Sequence, residues 1–172
     1  MTFCVEADDA ARESGLDIEG LFDLCARKAL LYTGCPFECE VDLTVTDDGE
    51  IRKLNKEYRD IDRATDVLSF PLLEFEEPGR FDIGEDKRAE CFDPENDELM
   101  LGSIVISLER AACQARDFGH SLKREMAFLI VHSMLHLQGF DHIEEKDRIV
   151  MEKAQEEILD DLKITREAAL EE

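Results

Sequence analysis

Long apolar runs, paired cysteines and positive charge are all scarce in this 172-residue chain. The apolar run at residues 127–131, extended only by Met126, falls far short of the roughly 20 residues that cross a bilayer, so no membrane partner is expected. The opening MTFCVEADDA has no basic region followed by an apolar core, so it does not read as a secretory signal, and a cytoplasmic location is expected. Six cysteines at positions 4, 25, 35, 39, 91 and 113 form no Cys-x-x-Cys pair. Free, partly buried thiols are expected, with Cys35 and Cys39 the nearest approach to a pair. No internal repeat is present.

The shortage of cations is the most restrictive. Twenty Lys and Arg face 43 Asp and Glu, a formal charge of −23 that favours solubility and repels polyanions. An enzyme acting on nucleic acid would have to gather its few cations locally, because Lys, Arg and backbone amides make the phosphate contacts. Two stretches carry a net positive balance. Residues 51–63 hold Arg52, Lys53, Lys56, Arg59 and Arg63, and residues 109–124 hold Arg110, Arg116, Lys123 and Arg124. A solvated helix face accounts for each stretch equally well.

With 44 % hydrophobic residues, the chain (1–172) reads as one globular domain with a fraying tail at 165–172. TFCVEA reads as a strand followed by a polar loop. Residues 18–32 read as a helix with Leu21, Leu24, Cys25 and Leu31 on its apolar face, ended by Gly34 and Pro36. CEVDLTVT alternates, with Val41, Leu43 and Val45 on one face, and Asp48-Gly49 reads as a turn. A short basic-faced helix follows over 51–60, then the β-rich TDVLSFPLLEF, which Pro71 restricts to an edge or a strand end. Residues 76–98 read as an exposed acidic loop. LMLGSIVIS reads as a central strand, 108–118 and 121–137 as helices parted by Gly119, and 143 onward as a last helix with Met151, Ala154, Ile158 and Leu162 on one face. The expected class is α+β: a small mixed sheet of about four strands packed with about five helices.

The chemistry concentrates in HSMLHLQGFDH, residues 132–142, which holds three of the four histidines. His132 and His136, four apart, share one helix face one turn apart. Gly139 supplies the backbone freedom to end the helix, and the turn can return His142 to the same ion. This H-x-x-x-H-x-x-G-x-x-H spacing is the ligand pattern of the metzincin proteases, and three neutral imidazoles leave a fourth position open, as catalytic sites do. Imidazole suits zinc, nickel, copper and iron alike. Asp141 is the nearest carboxylate that could orient a histidine; a solvated turn residue is the alternative. Ser133 stands where a zinc protease carries its glutamate base, and a hydroxyl cannot serve as that base near neutral pH. A metallopeptidase therefore remains only an alternative, and hydrolysis of something other than a peptide fits better.

HSMLHLQGFDH resembles the H-G-x-L-H-L-x-G-Y-D-H signature of the YbeY family, single-strand-specific metallo-endoribonucleases that act in rRNA maturation. YRDIDRATDVLSFP, LGSIVIS and DRIVMEKAQEEIL are similar to the family's other segments in order and spacing, so the resemblance covers roughly residues 40–160. It implies a small α+β domain with a four-stranded sheet, and a divalent metal, usually zinc, on His132, His136 and His142. It also implies a functional role for Arg59, with catalysis resting on Arg59, His132 and His136. Arg59, Arg63, Lys123 and Arg124 are the candidates for RNA contact. The activity implied is cleavage of single-stranded RNA in small-subunit rRNA 3′-end maturation and ribosome quality control, with ribosomal or ribosome-associated proteins as partners. A non-enzymatic, metal-stabilised ribosome-associated factor is a further alternative. Ser133 replaces the family's usual glycine and Phe140 its tyrosine. Ser103 replaces the aspartate of LGDI, removing a carboxylate. No residue of the sequence identifies itself as the general base.

Overall fold

Alternation in CEVDLTVT requires a strand with one buried face, and the register across the sheet shows what that face meets. In the computed structural model, which describes residues 1–165, strands β1 (Thr2–Ala7), β2 (Cys39–Thr46), β3 (Val67–Pro71) and β4 (Leu99–Ser107) form one sheet in the order β1-β2-β4-β3. The first three strands in that order run parallel and β3 runs antiparallel to β4, so the sheet is mixed and Pro71 ends an edge strand, as its missing N–H requires. Val5, Leu43 and Ile104 lie in one row across the sheet and point into the main core. The row Cys4, Asp42, Ser103 and Phe70 belongs to the opposite face. Ser103 therefore sits in mid-sheet, and it is not among the residues that line the histidine cleft described below.

Seven helices are present among the described residues: α1 (Asp9–Glu13), α2 (Ile18–Thr33), α3 (Asp48–Arg59), α4 (Glu85–Cys91), α5 (Leu108–Phe118), α6 (Leu122–Leu137) and α7 (Glu145–Asp161). Helices α2 and α6 cover the core face of the sheet and α7 packs on both of them, while α3 packs Ile51 against Leu68 and Val105 on the other face. Helix α6 is central, apolar nearly all round, and buried as such a helix must be. None of the helices is long and apolar enough to cross a membrane.

Several expectations need correction. Two short helices, α1 and α4, replace irregular segments. Asp8 caps α1 by accepting the Ala11 amide at 2.8 Å, so the polar stretch after β1 begins as a helix. Asp48-Gly49 is not a turn but the first turn of α3, because Asp47 accepts the Glu50 amide as its N-cap. The buried face of α2 is rotated from the expected one: Phe22, Ala26, Ala29 and Leu30 are buried beside Leu21 and Cys25, whereas Leu24 and Leu31 are exposed. Small alanines let α2 approach the neighbouring helices there, which a count of large apolar residues overlooks. The 76–98 segment is mostly exposed and acidic, but it contains α4 and is tied down. The Gly79 amide donates to the Gln138 carbonyl at 2.8 Å, Phe92 is buried, and Glu98 pairs with the N-terminal ammonium at 2.6 Å. The tail expected to fray lies, beyond Thr165, outside the described residues.

Candidate metal centre

Helix α6 carries His132 and His136 on one face and then stops in a way that only its glycine permits. The Gly139 amide donates to the His136 carbonyl and the Phe140 amide to the Leu135 carbonyl, both at 3.1 Å, the paired bonds of a Schellman ending. Gly139 sits at φ +87°, and a Cβ there would come within 2.6 Å of the Phe75 Cβ. Two constraints thus fix glycine at this position. The chain reverses, and His142 joins the other two: one ring nitrogen from each imidazole lies within 4.8 Å of the others. No other such group of three or more donors occurs among the described residues. Cys35 and Cys39 do approach to 3.6 Å between sulfurs, but no third donor joins them, and all six cysteines are free.

The hydrogen bonds decide which nitrogens face inward. A main-chain carbonyl can only accept, so His136 Nδ1–H must donate to the Phe140 oxygen, 2.9 Å away. His132 Nδ1 likewise lies 3.3 Å from the amide oxygen of Gln155, on α7. Both Nε2 atoms then carry lone pairs, yet they stand 3.1 Å apart. Two acceptors so placed repel. A cation between them removes the conflict, and the spacing is near the roughly 3.4 Å that two nitrogens on one tetrahedral ion adopt at Zn–N of about 2.0–2.1 Å. The donor set fits a divalent metal held by His132, His136 and His142.

Both helical imidazoles are also kept neutral, the form that binds metal. Burial lowers the His136 pKa to about 4, helped by the neighbouring His132 and His142 and opposed by the Phe140 carbonyl and Asp141. Burial also lowers that of His132, against the Gln155 hydrogen bond. Because the folded values lie below the ordinary 6.5, the unfolded chain takes up protons that the folded one refuses between that value and about 4. Stability of the metal-free protein is therefore complete above 6.5 and declines as the pH falls toward about 4. Urea unfolding in chelator, at pH 7.5 and at pH 5, should show His136→Asn losing less stability than the parent, by on the order of 1 kcal/mol after solvent screening. Equal losses would contradict the assignment.

Gln155 is the residue that sequence reasoning missed. It is 4 % exposed, between the buried Ala154 and Ile158 of α7, and a polar side chain on that apolar face was the available signal. Asp141, the expected orienting group, instead accepts the His142 backbone amide at 2.7 Å; the orienting acceptors for His132 and His136 are Gln155 and the Phe140 carbonyl. Gln155→Leu keeps the shape and removes the acceptor, and should weaken zinc binding about 10- to 100-fold in chelator competition, with Gln155→Glu retaining most of the affinity. Unchanged affinity in the leucine variant would remove Gln155 from the site. Phe140 meets His136 through its main-chain oxygen, a contact that does not involve a ring hydroxyl.

The imidazoles open into a cleft of about 1070 Å³ that crosses edge strand β3 and is also lined by Tyr58, Arg59, Asp66, Glu74, Phe75 and Asp141. Arg59 ends α3, and Asp60 follows it in the left-handed conformation at φ 57°. Buried Asn55 braces that turn by donating to the Arg63 carbonyl at 2.9 Å. Of the expected cations in this stretch, Arg52 and Lys56 pair with Asp62 and Lys53 pairs with Glu50, while Arg59 has no ion-pair partner among the described residues. Arg63, Lys123 and Arg124 are not among the cleft-lining residues. Arg63 is exposed beyond the turn. Lys123 is on the first turn of α6, and Arg124 lies over the Phe128 ring at 5.6 Å, lining a separate cavity. Ser133 is buried and its hydroxyl finds no hydrogen-bond partner among the described residues, so it does not reach the cleft. Asp66 lines the cleft beside His132 and accepts the Val67 amide at 2.8 Å and the Gln114 side chain at 3.2 Å.

A family model described as endoribonuclease YbeY matches residues 6–163. Among curated relatives, an endoribonuclease YbeY of Lachnoclostridium phytofermentans is 52 % identical over 138 residues, covering 80 % of this chain and 84 % of its own. One from Agathobacter rectalis is 47 % identical over 166 residues, covering 96 % of this chain and all of its own. The solution structure of a Thermotoga maritima protein superposes with a TM-score of 0.54 at 21 % identity, covering 94 % of this chain and 92 % of that one, a likeness of fold.

Proposed function

This chain belongs to the endoribonuclease YbeY family, and from that premise we propose that it is a metal-dependent endoribonuclease that cuts single-stranded RNA. The observation that carries the metal dependence is the convergence of three imidazole nitrogens within 4.8 Å of one another, with His132 and His136 Nε2 3.1 Å apart, in a cleft that also holds Arg59. His132, His136 and His142 would hold the ion, and zinc is the metal we propose, because three imidazoles around an open position suit it. Bound there, it would supply Lewis acidity toward a phosphoryl oxygen and activate water for attack.

The chain's own residues supply the rest. Gln155 and the Phe140 carbonyl hold two imidazoles with Nε2 inward, and burial keeps them unprotonated. Arg59 lines the cleft with no ion-pair partner among the described residues and would bind the phosphate through two parallel N–H donors, stabilising the charge that develops in phosphoryl transfer. Asp141 shapes the turn that brings His142 back. No other Lys or Arg lines the cleft among the described residues, so Arg63, Lys123 and Arg124 would touch RNA only outside it, and basic ribosomal or ribosome-associated proteins would help to deliver the substrate to a protein of charge −23. The biological role that follows is cytoplasmic maturation of the small-subunit rRNA 3′ end and ribosome quality control, carried by one domain over 1–172.

Purified protein loaded with zinc should cut a labelled single-stranded RNA, spare the same strand once annealed, and lose activity in chelator. Hydrolysis of peptides in place of RNA would return the metallopeptidase reading, which buried Ser133 disfavours. Tight ribosome association with no turnover, and thermal stability lost with the metal, would favour a structural role.

A further inference from the structure

Tyr58 has no part in holding a metal or a phosphate, yet it stands in the same cleft. It is 63 % exposed, directly precedes Arg59 on the last turn of α3, and rests against the Phe70 ring at 5.1 Å and 68°. An exposed aromatic ring is often a solvated bystander. Tyr58 differs from the chain's other exposed aromatics. Tyr32 donates its hydroxyl to Glu157, and Phe118 stacks on His120 outside the cleft. The cleft phenylalanines are less accessible: Phe70 and Phe75 are half-buried, and Phe140 lies in the core.

Its position relative to β3 matters as much. Phe70 and Leu68 belong to the α3 side of the sheet, whereas Val67 packs with the core on the α6 side, so the cleft passes over the edge strand from the histidines to Tyr58. A strand of nucleotides laid across that edge, with one phosphate at Arg59, brings a neighbouring base to the tyrosine. We propose that Tyr58 is a stacking platform for an unpaired nucleobase adjoining the scissile phosphate, and that it restricts the cleft to single-stranded RNA. This rests on the nuclease reading above.

Two physical arguments support it. Bases in an A-form duplex are already stacked on each other and offer only groove edges, so a ring platform can be used only by a base that has left the stack. The charge balance also calls for such a contact: Arg59 shares the cleft with Asp66, Glu74 and Asp141, so phosphate attraction is limited, and stacking does not depend on net charge.

The test uses the zinc-loaded full chain and a single-stranded RNA carrying one 2-aminopurine, whose fluorescence falls on stacking. Stopped-flow mixing, read before turnover, should show quenching by the parent and by Tyr58→Phe, and its loss in Tyr58→Leu. Leucine keeps the apolar contact with Phe70, so an unchanged thermal midpoint separates this loss from misfolding. In steady state Tyr58→Leu should raise KM about tenfold with kcat nearly unchanged, and the phenylalanine variant should restore KM. Active Tyr58→Leu protein with parental quenching and KM would overturn the platform and leave the nuclease reading standing. A parent that neither quenches the probe nor cuts any RNA would remove both.

Discussion

His136→Ala should reduce RNA cleavage to the blank and weaken zinc binding by about three orders of magnitude, the largest effect expected of any single substitution. The substitution removes one of three donors and also the imidazole that Phe140 holds in place. Losing one of three protein ligands forfeits several kcal/mol of binding, and each 1.4 kcal/mol is tenfold. The fold should survive, because the site lies at the end of α6 and the core is formed by the sheet and helix faces above it. Zinc competition and a cleavage time course on the same preparation check this. His120→Gln is the control, since the fourth histidine pairs with buried Glu125 away from the cleft. A His136→Ala protein that binds zinc and cuts RNA like the parent would end the assignment.

The second large effect belongs to Arg59. Arg59→Ala should lower kcat/KM about 10²- to 10³-fold, the usual cost of removing one charged donor from a developing oxyanion, with zinc stoichiometry unchanged. Arg59→Lys should recover only part of this, because an ammonium is a point charge without the planar fork. Stability should move by less than about 0.5 kcal/mol, since the side chain is exposed and has no ion-pair partner among the described residues. Steady-state kinetics beside a urea melt separate the two. A large loss of stability with little loss of rate would make Arg59 a structural residue.

The parts of the fold that could be read from sequence are those set by local physics. Period-two alternation marked β2, the apolar sweep of residues 99–107 marked β4, and Pro71 placed β3 at an edge. The histidines were legible because spacing and Gly139 are local, and His142 returns over only six residues from His136. What escaped depends on side chains meeting from distant segments. Gln155 lies 23 residues from His132, and nothing local tells an orienting amide from a surface one. Tyr58 acquires meaning only once β3 folds beneath it. Capping aspartates turned two apparent loops or turns into helix starts, at Asp8 and Asp47, because a single side chain-to-amide bond decides between those outcomes. The cations show the same limit from the other side. Summed along the sequence, residues 51–63 look basic; in space Asp62 and Glu50 pair with three of the five cations, Arg63 lies outside the cleft, and Arg59 lines it.

The central claim is that three imidazoles hold one ion on which RNA cleavage depends. Protein stripped by chelator should be inactive, and stepwise addition of zinc should restore cleavage of a single-stranded RNA in proportion to bound metal, reaching its plateau at one equivalent. Full cleavage by the stripped protein, or restoration with no metal bound, would contradict the account.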